Sequence, residues 1–139
     1  KTLVNEHGRE GKKNGKGFYD YPTEGDKHLW PDLINLYPPK SEQPSQQDLV
    51  DRLMFIQANE SAKCYEENVV RSVADTNIGS IFGWGFAPQH GGTLQFINAM
   101  GVSAFVERSR ELAAKYGERF EPAQILLDMA VKGETFSDD

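Results

Sequence analysis

Cysteine is nearly absent from this chain, and long apolar runs are missing altogether. A single Cys64 stands among 139 residues, so no disulfide can close within the chain and a reducing compartment is expected. The three histidines, His7, His28 and His90, show no metal-ligand spacing. No apolar stretch approaches the roughly 18 residues that cross a bilayer, so no membrane span is expected. The N-terminus has no apolar signal core, which points to a cytoplasmic protein. Nor does any segment alternate long enough to promise a sheet. Lys and Arg number 15 against 21 Asp and Glu, a net charge of -6, which argues against a nucleic-acid partner. The chain opens on Lys1 rather than Met, so a processed product or a piece of a longer polypeptide is expected.

Glycine and proline are plentiful but unevenly placed. Residues 1–46 hold five of the seven prolines, at 22, 31, 38, 39 and 44, and read as a connector arm and linker. Two aromatic knots interrupt the arm, Phe18-Tyr19-Asp20-Tyr21 and Leu29-Trp30-Pro31, of the kind that anchors an arm to a packed surface. Lys12, Lys13 and Lys16 lie among Gly8, Gly11, Gly15 and Gly17. A phosphate-binding loop needs G-x-x-x-x-G-K-[ST], but Glu10 stands where the first glycine should be and Gly17 follows Lys16. The dinucleotide fingerprint G-x-G-x-x-G is missing too. Two readings stay open for the lysines, a solvated turn or a weak anion patch for a CoA phosphate. Lys16-Gly17-Phe18-Tyr19 also resembles the opening of an RNA-binding strand, but Asp20 follows and the rest of the chain is acidic.

Residues 47–139 read as a helical domain. Ser45-Gln46-Gln47-Asp48 is a capping-box-like start. Leu49, Leu53, Ile56 and Glu60 recur at helical spacing behind it, and so do Val50, Met54, Ala58, Ala62 and Tyr65. A wide apolar face predicts a central helix. Ser72-Val73-Ala74-Asp75 starts a second helix through Ile78 and Ile81, expected to stop at Gly83. A Gly-Pro loop then runs from Gly83 to Gly92, with four glycines in ten residues. Leu94, Phe96, Ile97 and Met100 mark a third helix, ending near Gly101. Val102, Phe105, Val106, Ser109, Leu112, Ala113 and Tyr116 form an amphipathic stripe with Gly117 as the stop. Pro122 is expected at the first position of a last helix carrying Ile125, Leu126 and Met129.

Among polar residues, Asn59-Glu60 in the middle of the long helix must be hydrogen-bonded if buried, and capping a loop backbone or meeting a neighbouring domain is the expected role. Cys64 reads as a buried structural thiol. Glu66-Glu67 and Asp138-Asp139 read as solvated charge. His90 in the Gly-Pro loop would need a carboxylate partner and a pocket to act as a base.

Two of these segments carry a family resemblance. Asn59 to Gly101, with its Glu-rich helix, Gly-Pro loop and following amphipathic helix, resembles the C-terminal helical domain of the 3-hydroxyacyl-CoA dehydrogenases. It looks most like the second copy of that domain at the end of the multifunctional fatty-acid β-oxidation proteins. Gly11-Lys12-Lys13-Asn14-Gly15-Lys16-Gly17-Phe18-Tyr19-Asp20-Tyr21 is similar to the family's G-x-K-x-G-x-G-F-Y-x-Y signature, which leads from the first copy to the second. The resemblance covers the chain from about Gly8 onward. It departs in the loop: the family's G-F-P-P-F-R-G-G stands here as Gly85-Phe86-Ala87-Pro88-Gln89-His90-Gly91-Gly92, which puts the contacts of the replaced aromatic and arginine in doubt.

The resemblance implies an all-α fold, a small helical bundle of the 3-hydroxyacyl-CoA dehydrogenase C-terminal type with an extended N-terminal arm. The catalytic histidine and glutamate of the family lie in a nucleotide-binding domain that this chain lacks. The chain is therefore expected to bind no cofactor itself, while the whole enzyme uses NAD to oxidise a 3-hydroxyacyl-CoA. Its expected partners are the preceding nucleotide-binding and first helical domains of one polypeptide, with acyl-CoA and self-association as further expectations. Asn59, Glu60, Gly85, Phe86, Pro88, Gly91, Gly92, Lys12, Lys13 and Lys16 are the candidates for substrate or interdomain contact. Two rivals remain: a stand-alone interaction module, and a small enzyme using His90 with Glu60 or Glu66.

Overall fold

Arg9 organises the N-terminal part of the computed structural model, which describes residues 1–138. Its Nε donates to the Gly17 carbonyl at 2.7 Å, its guanidinium pairs with Asp20, and the same group lies 4.2 Å from the Trp30 ring centroid. A buried arginine needs such partners, because an unpaired charge away from water is costly. Around it run a single turn α1 (Thr2–Asn5), a 3-10 turn (Lys12–Asn14), strands β1 (Tyr19–Asp20) and β2 (His28–Leu29), and a turn α2 (Leu33–Leu36). The strands pair antiparallel, Tyr19 with Leu29 and Asp20 with His28. The two aromatic knots thus pair with each other. These strands are too short to leave an alternating pattern, so sequence periodicity could not reveal them. Gly17 is obligatory here: a Cβ at that position would lie 2.8 Å from the Gly11 Cα. Lys1–Gln43 form one compact unit, and the residues from Pro44 onward form another.

The second unit is helical. Ser45 is extended, and its Oγ accepts the Asp48 N–H at 3.0 Å, capping α3 (Gln46–Glu66). Ser72 does the same for Asp75 at 3.0 Å and starts α4 (Val73–Trp84). A 3-10 turn (Pro88–His90) leads to α5 (Thr93–Met100) and then α6 (Val102–Tyr116). A second such turn (Glu118–Phe120) precedes α7 (Gln124–Lys132). The expected helical class is what the chain adopts, with a sheet of only two short strands among the described residues.

Aromatic rings centre the core. Phe55 stacks flat on Phe105 at 4.3 Å, and Phe96 meets both edge-on at 5.8 and 6.2 Å. Leu94, Ile97, Leu112 and Leu126 are fully enclosed beside them. The α6 stripe faces this core from Val102 to Ala113, as its spacing predicts.

Four expectations need correction. On α3, Leu49, Val50 and Leu53 are exposed, while Phe55, Ala58, Asn59 and Ala62 face inward. The wide apolar stripe is really two faces, and only one is fully covered. Gly83 lies inside α4; the stop is Gly85, whose left-handed φ of 80° ends the helix. Pro122 lies outside α7, whose N-cap is Ala123. Asp138 is no solvated charge: its two oxygens accept the Val73 and Ala74 N–H groups at 2.5 and 2.7 Å, a remote cap on α4. Asp139 lies outside the described residues.

Candidate functional site

Asn59 is buried on α3 and works entirely inside its own domain. Its Nδ2 donates to the Glu121 carbonyl at 2.7 Å, and its Oδ1 accepts the Ala123 N–H at 2.9 Å. The amide thus imitates a strand edge for the loop that enters α7. Asn98 does the same for the C-terminal tail, holding both backbone groups of Phe136 at 2.9 Å. Phe86 is equally internal, its ring 6.1 Å from Phe96. Neither Asn59 nor Phe86 offers a surface to a substrate.

The Gly-Pro loop is shaped by its glycines. Gly85, Gly91 and Gly92 all have positive φ, and Pro88 opens the 3-10 turn. At Gly92 a Cβ would stand 2.4 Å from the Asn77 Cα. That close approach lets the Asn77 Oδ1 accept the Leu94 and Gln95 N–H groups at 2.9 and 3.0 Å. The Ser80 Oγ accepts the Thr93 N–H at 3.2 Å. So α4 caps the start of α5, where Gly92 has no side chain to do it. Short-range capping patterns cannot show such partners, which come from 13 to 18 residues away.

His90 leans on the Phe96 ring at 5.1 Å. No hydrogen bond or ion pair joins it to Glu60 or Glu66 among the described residues. Lys12, Lys13 and Lys16 belong to the first unit, where all three are exposed and Lys13 pairs with Glu10 at 2.9 Å.

A charged hub ties α3 to α6. The nearly buried Asp48 takes the Tyr116 hydroxyl at 2.6 Å, the Lys115 ammonium at 2.9 Å and the Arg108 guanidinium at 2.6 Å. Arg108 also reaches Asp51 at 2.8 Å. These donors, the Tyr116 hydroxyl foremost, hold the Asp48 carboxyl well below the usual carboxylate range. The Asp48 charge in turn pushes the Lys115 ammonium and the Tyr116 hydroxyl up. The Asp48 carboxylate is matched by three donor groups, so the hub reads as a structural joint.

The feature left open is a trough of about 630 Å³ between the outer sides of α3 and α4. Ile56, Ser61, Cys64, Val70, Gly79 and Gly83 are among its lining residues. Trp84 closes one rim, its Nε1 donating to the Gln57 Oε1 at 2.9 Å. Glu60 lines it too, with its side chain exposed, so the Asn59-Glu60 pair splits between core and surface. Cys64, expected to be buried, is half-buried here. Phe82 and Leu53 stand out to solvent at 86% and 66% exposure. Such an apolar surface suits contact with another apolar surface. No cluster of metal-ligating residues occurs among the described residues, and no helix among them is long and apolar enough to cross a membrane.

Fold and trough together define the class: a small helical domain with a closed core and an uncovered apolar trough. Among known proteins, the chain is 39% identical over 140 residues, 99% of its length, to the fatty acid oxidation complex subunit alpha of Vibrio campbellii. It is 39% identical over 137 residues, 96% of its length, to the subunit of the same name from Vibrio parahaemolyticus. The chain spans 19% of the length of each of these relatives. No family model matches the chain.

Proposed function

We propose that this chain is the closing helical domain of a longer, NAD-dependent 3-hydroxyacyl-CoA dehydrogenase of fatty-acid β-oxidation. The observation that carries the reading is the similarity over 99% of this chain to 19% of a fatty acid oxidation subunit. The domain would support the catalytic half and complete the surroundings of its acyl-CoA, working in the cytoplasm. Its own residues supply no catalytic set in this reading. Hydride transfer from the 3-hydroxyacyl-CoA to NAD would take place on the nucleotide-binding part of the longer polypeptide.

The architecture supports that division of labour. A dinucleotide site needs a strand running through a glycine-rich turn into a helix, so that amides and helix dipole meet the pyrophosphate. The strands described here have two residues each and belong to a ribbon without a helix crossover.

The test has two arms, each following NADH oxidation with acetoacetyl-CoA. The chain alone is expected to give none. Grafted into the Vibrio campbellii subunit in place of its matching segment, it is expected to restore turnover that the shortened subunit lacks. Turnover by the chain alone, or a graft no better than the shortened subunit, would overturn the reading.

A further inference from the structure

The long helix α3 has a second apolar face, and the domain covers it only in part, leaving Leu49 and Leu53 exposed. Leu49, Leu53, Ile56 and Cys64 follow one side of the helix, a line of about 22 Å at 1.5 Å per residue. Across the trough, α4 presents Gly79 and Gly83, one helical turn apart. Glycine is the poorest helix former after proline, so each one in a helix interior is destabilising against alanine unless a close contact offsets it. Here nothing inside the domain supplies one: a Cβ at either position would meet no atom within 4 Å. Gly17 and Gly92 show the contrast, since their missing Cβ atoms admit backbones at 2.8 and 2.4 Å. The space at Gly79 and Gly83 is room for a chain from outside the domain.

We infer that the α3–α4 trough receives one amphipathic helix from the remainder of the same longer polypeptide, packed closely over Gly79 and Gly83. This rests on the proposed function, under which about four-fifths of the polypeptide lies beyond this segment, the chain spanning 19% of its relatives. A convex helix fills a hollow, whereas two copies placed trough to trough would leave both hollows without contact atoms. The charges describe the occupant. Glu60 and Asp75 are among the residues lining the trough, and Arg52 and Arg119 line a neighbouring hollow that shares Ile56 with it. The docked helix carries large apolar side chains at i, i+3/i+4 spacing, with basic residues toward Glu60 and Asp75 and acidic ones toward Arg52 and Arg119.

The test measures binding of the 139-residue chain to the Vibrio campbellii subunit lacking its matching segment, by sedimentation velocity and titration calorimetry. The paired variant Gly79→Leu/Gly83→Leu fills the open space, and Gly79→Ala/Gly83→Ala is the milder version. Both variants are expected to keep the helical circular dichroism, the alanine pair with a Tm at or above that of the parent. The leucine pair is expected to raise Kd at least tenfold. Unchanged binding by the leucine pair overturns the inference while leaving the proposed function intact. A parent chain that dimerises through the same glycines makes a second copy the occupant and overturns it as well. No binding by the parent chain sinks the proposed function, and this inference with it.

Discussion

At the scale of single residues, buried amides and forced glycines matter more than exposed charge. Asn59 matches one backbone acceptor and one donor in the interior. Asn59→Ala leaves both unmatched and is expected to lower stability by about 2 kcal/mol or more. Asn59→Asp keeps the acceptor but turns a second oxygen toward the Glu121 carbonyl, so it is expected to be at least as damaging. Urea titration of the two variants checks this; a loss within error of zero would mean that water replaces the amide. Gly92→Ala combines a φ of 109° with a collision against the Asn77 backbone. A loss of about 2 kcal/mol or more is expected, since either strain alone costs roughly 1–3 kcal/mol. Gly79→Ala should do the opposite and stabilise by up to about 1 kcal/mol, because α4 gains a better helix former in open space. Thermal unfolding distinguishes the two signs.

At the scale of elements, helix ends are held by partners remote in sequence. Asp138 closes the first turn of α4 from 64 and 65 residues away. Asp138→Ala is expected to cost about 0.5–2 kcal/mol, the usual range for a lost cap. Hydrogen exchange at Val73 and Ala74 should accelerate while the centre of α6 stays protected. If those two amides are unmoved, the tail is not the cap. The joint between α3 and α6 carries a pH dependence. Asp48 has a lowered folded value, so its contribution is complete above the unfolded carboxylate value near about 4 and disappears as pH falls through the lower folded one. Lys115 and Tyr116 are raised by Asp48, so theirs is complete below about 10 and disappears as pH rises through the raised values. The urea midpoint should therefore hold between these limits and drop at both ends. Asp48→Asn should lower the plateau and flatten both slopes; slopes equal to those of the parent would assign the pH dependence elsewhere.

At the scale of the whole molecule, the entire aromatic and aliphatic core lies in the second unit, from Phe55 to Phe136. Residues 44–139 alone are therefore expected to unfold cooperatively, with the helical circular dichroism of the full chain. Calorimetry of that fragment checks it, and a broad non-cooperative transition would mean that the first unit is needed for the core. Phe136 belongs to that core, edge-on to Tyr65 at 5.7 Å, so the tail is part of the fold.

The helical class, the serine caps of α3 and α4, and the inward stripe of α6 were all legible in the chain, because each depends on neighbours within a few residues. Periodicity also marked α3, but it could not say which of two apolar faces would be covered. Leu49, Leu53 and Ile56 repeat as regularly as Phe55, Ala58 and Ala62, and burial depends on where other helices arrive. The two-residue ribbon around Arg9, the caps from Asn77 and Asp138, and the splitting of Asn59 from Glu60 were hidden for the same reason. Local sequence by itself determined the helical class and the serine-capped starts of α3 and α4, because these depend on near neighbours; only the tertiary structure decided the remaining helix ends and which side chains meet across tens of residues, and so which face was left open.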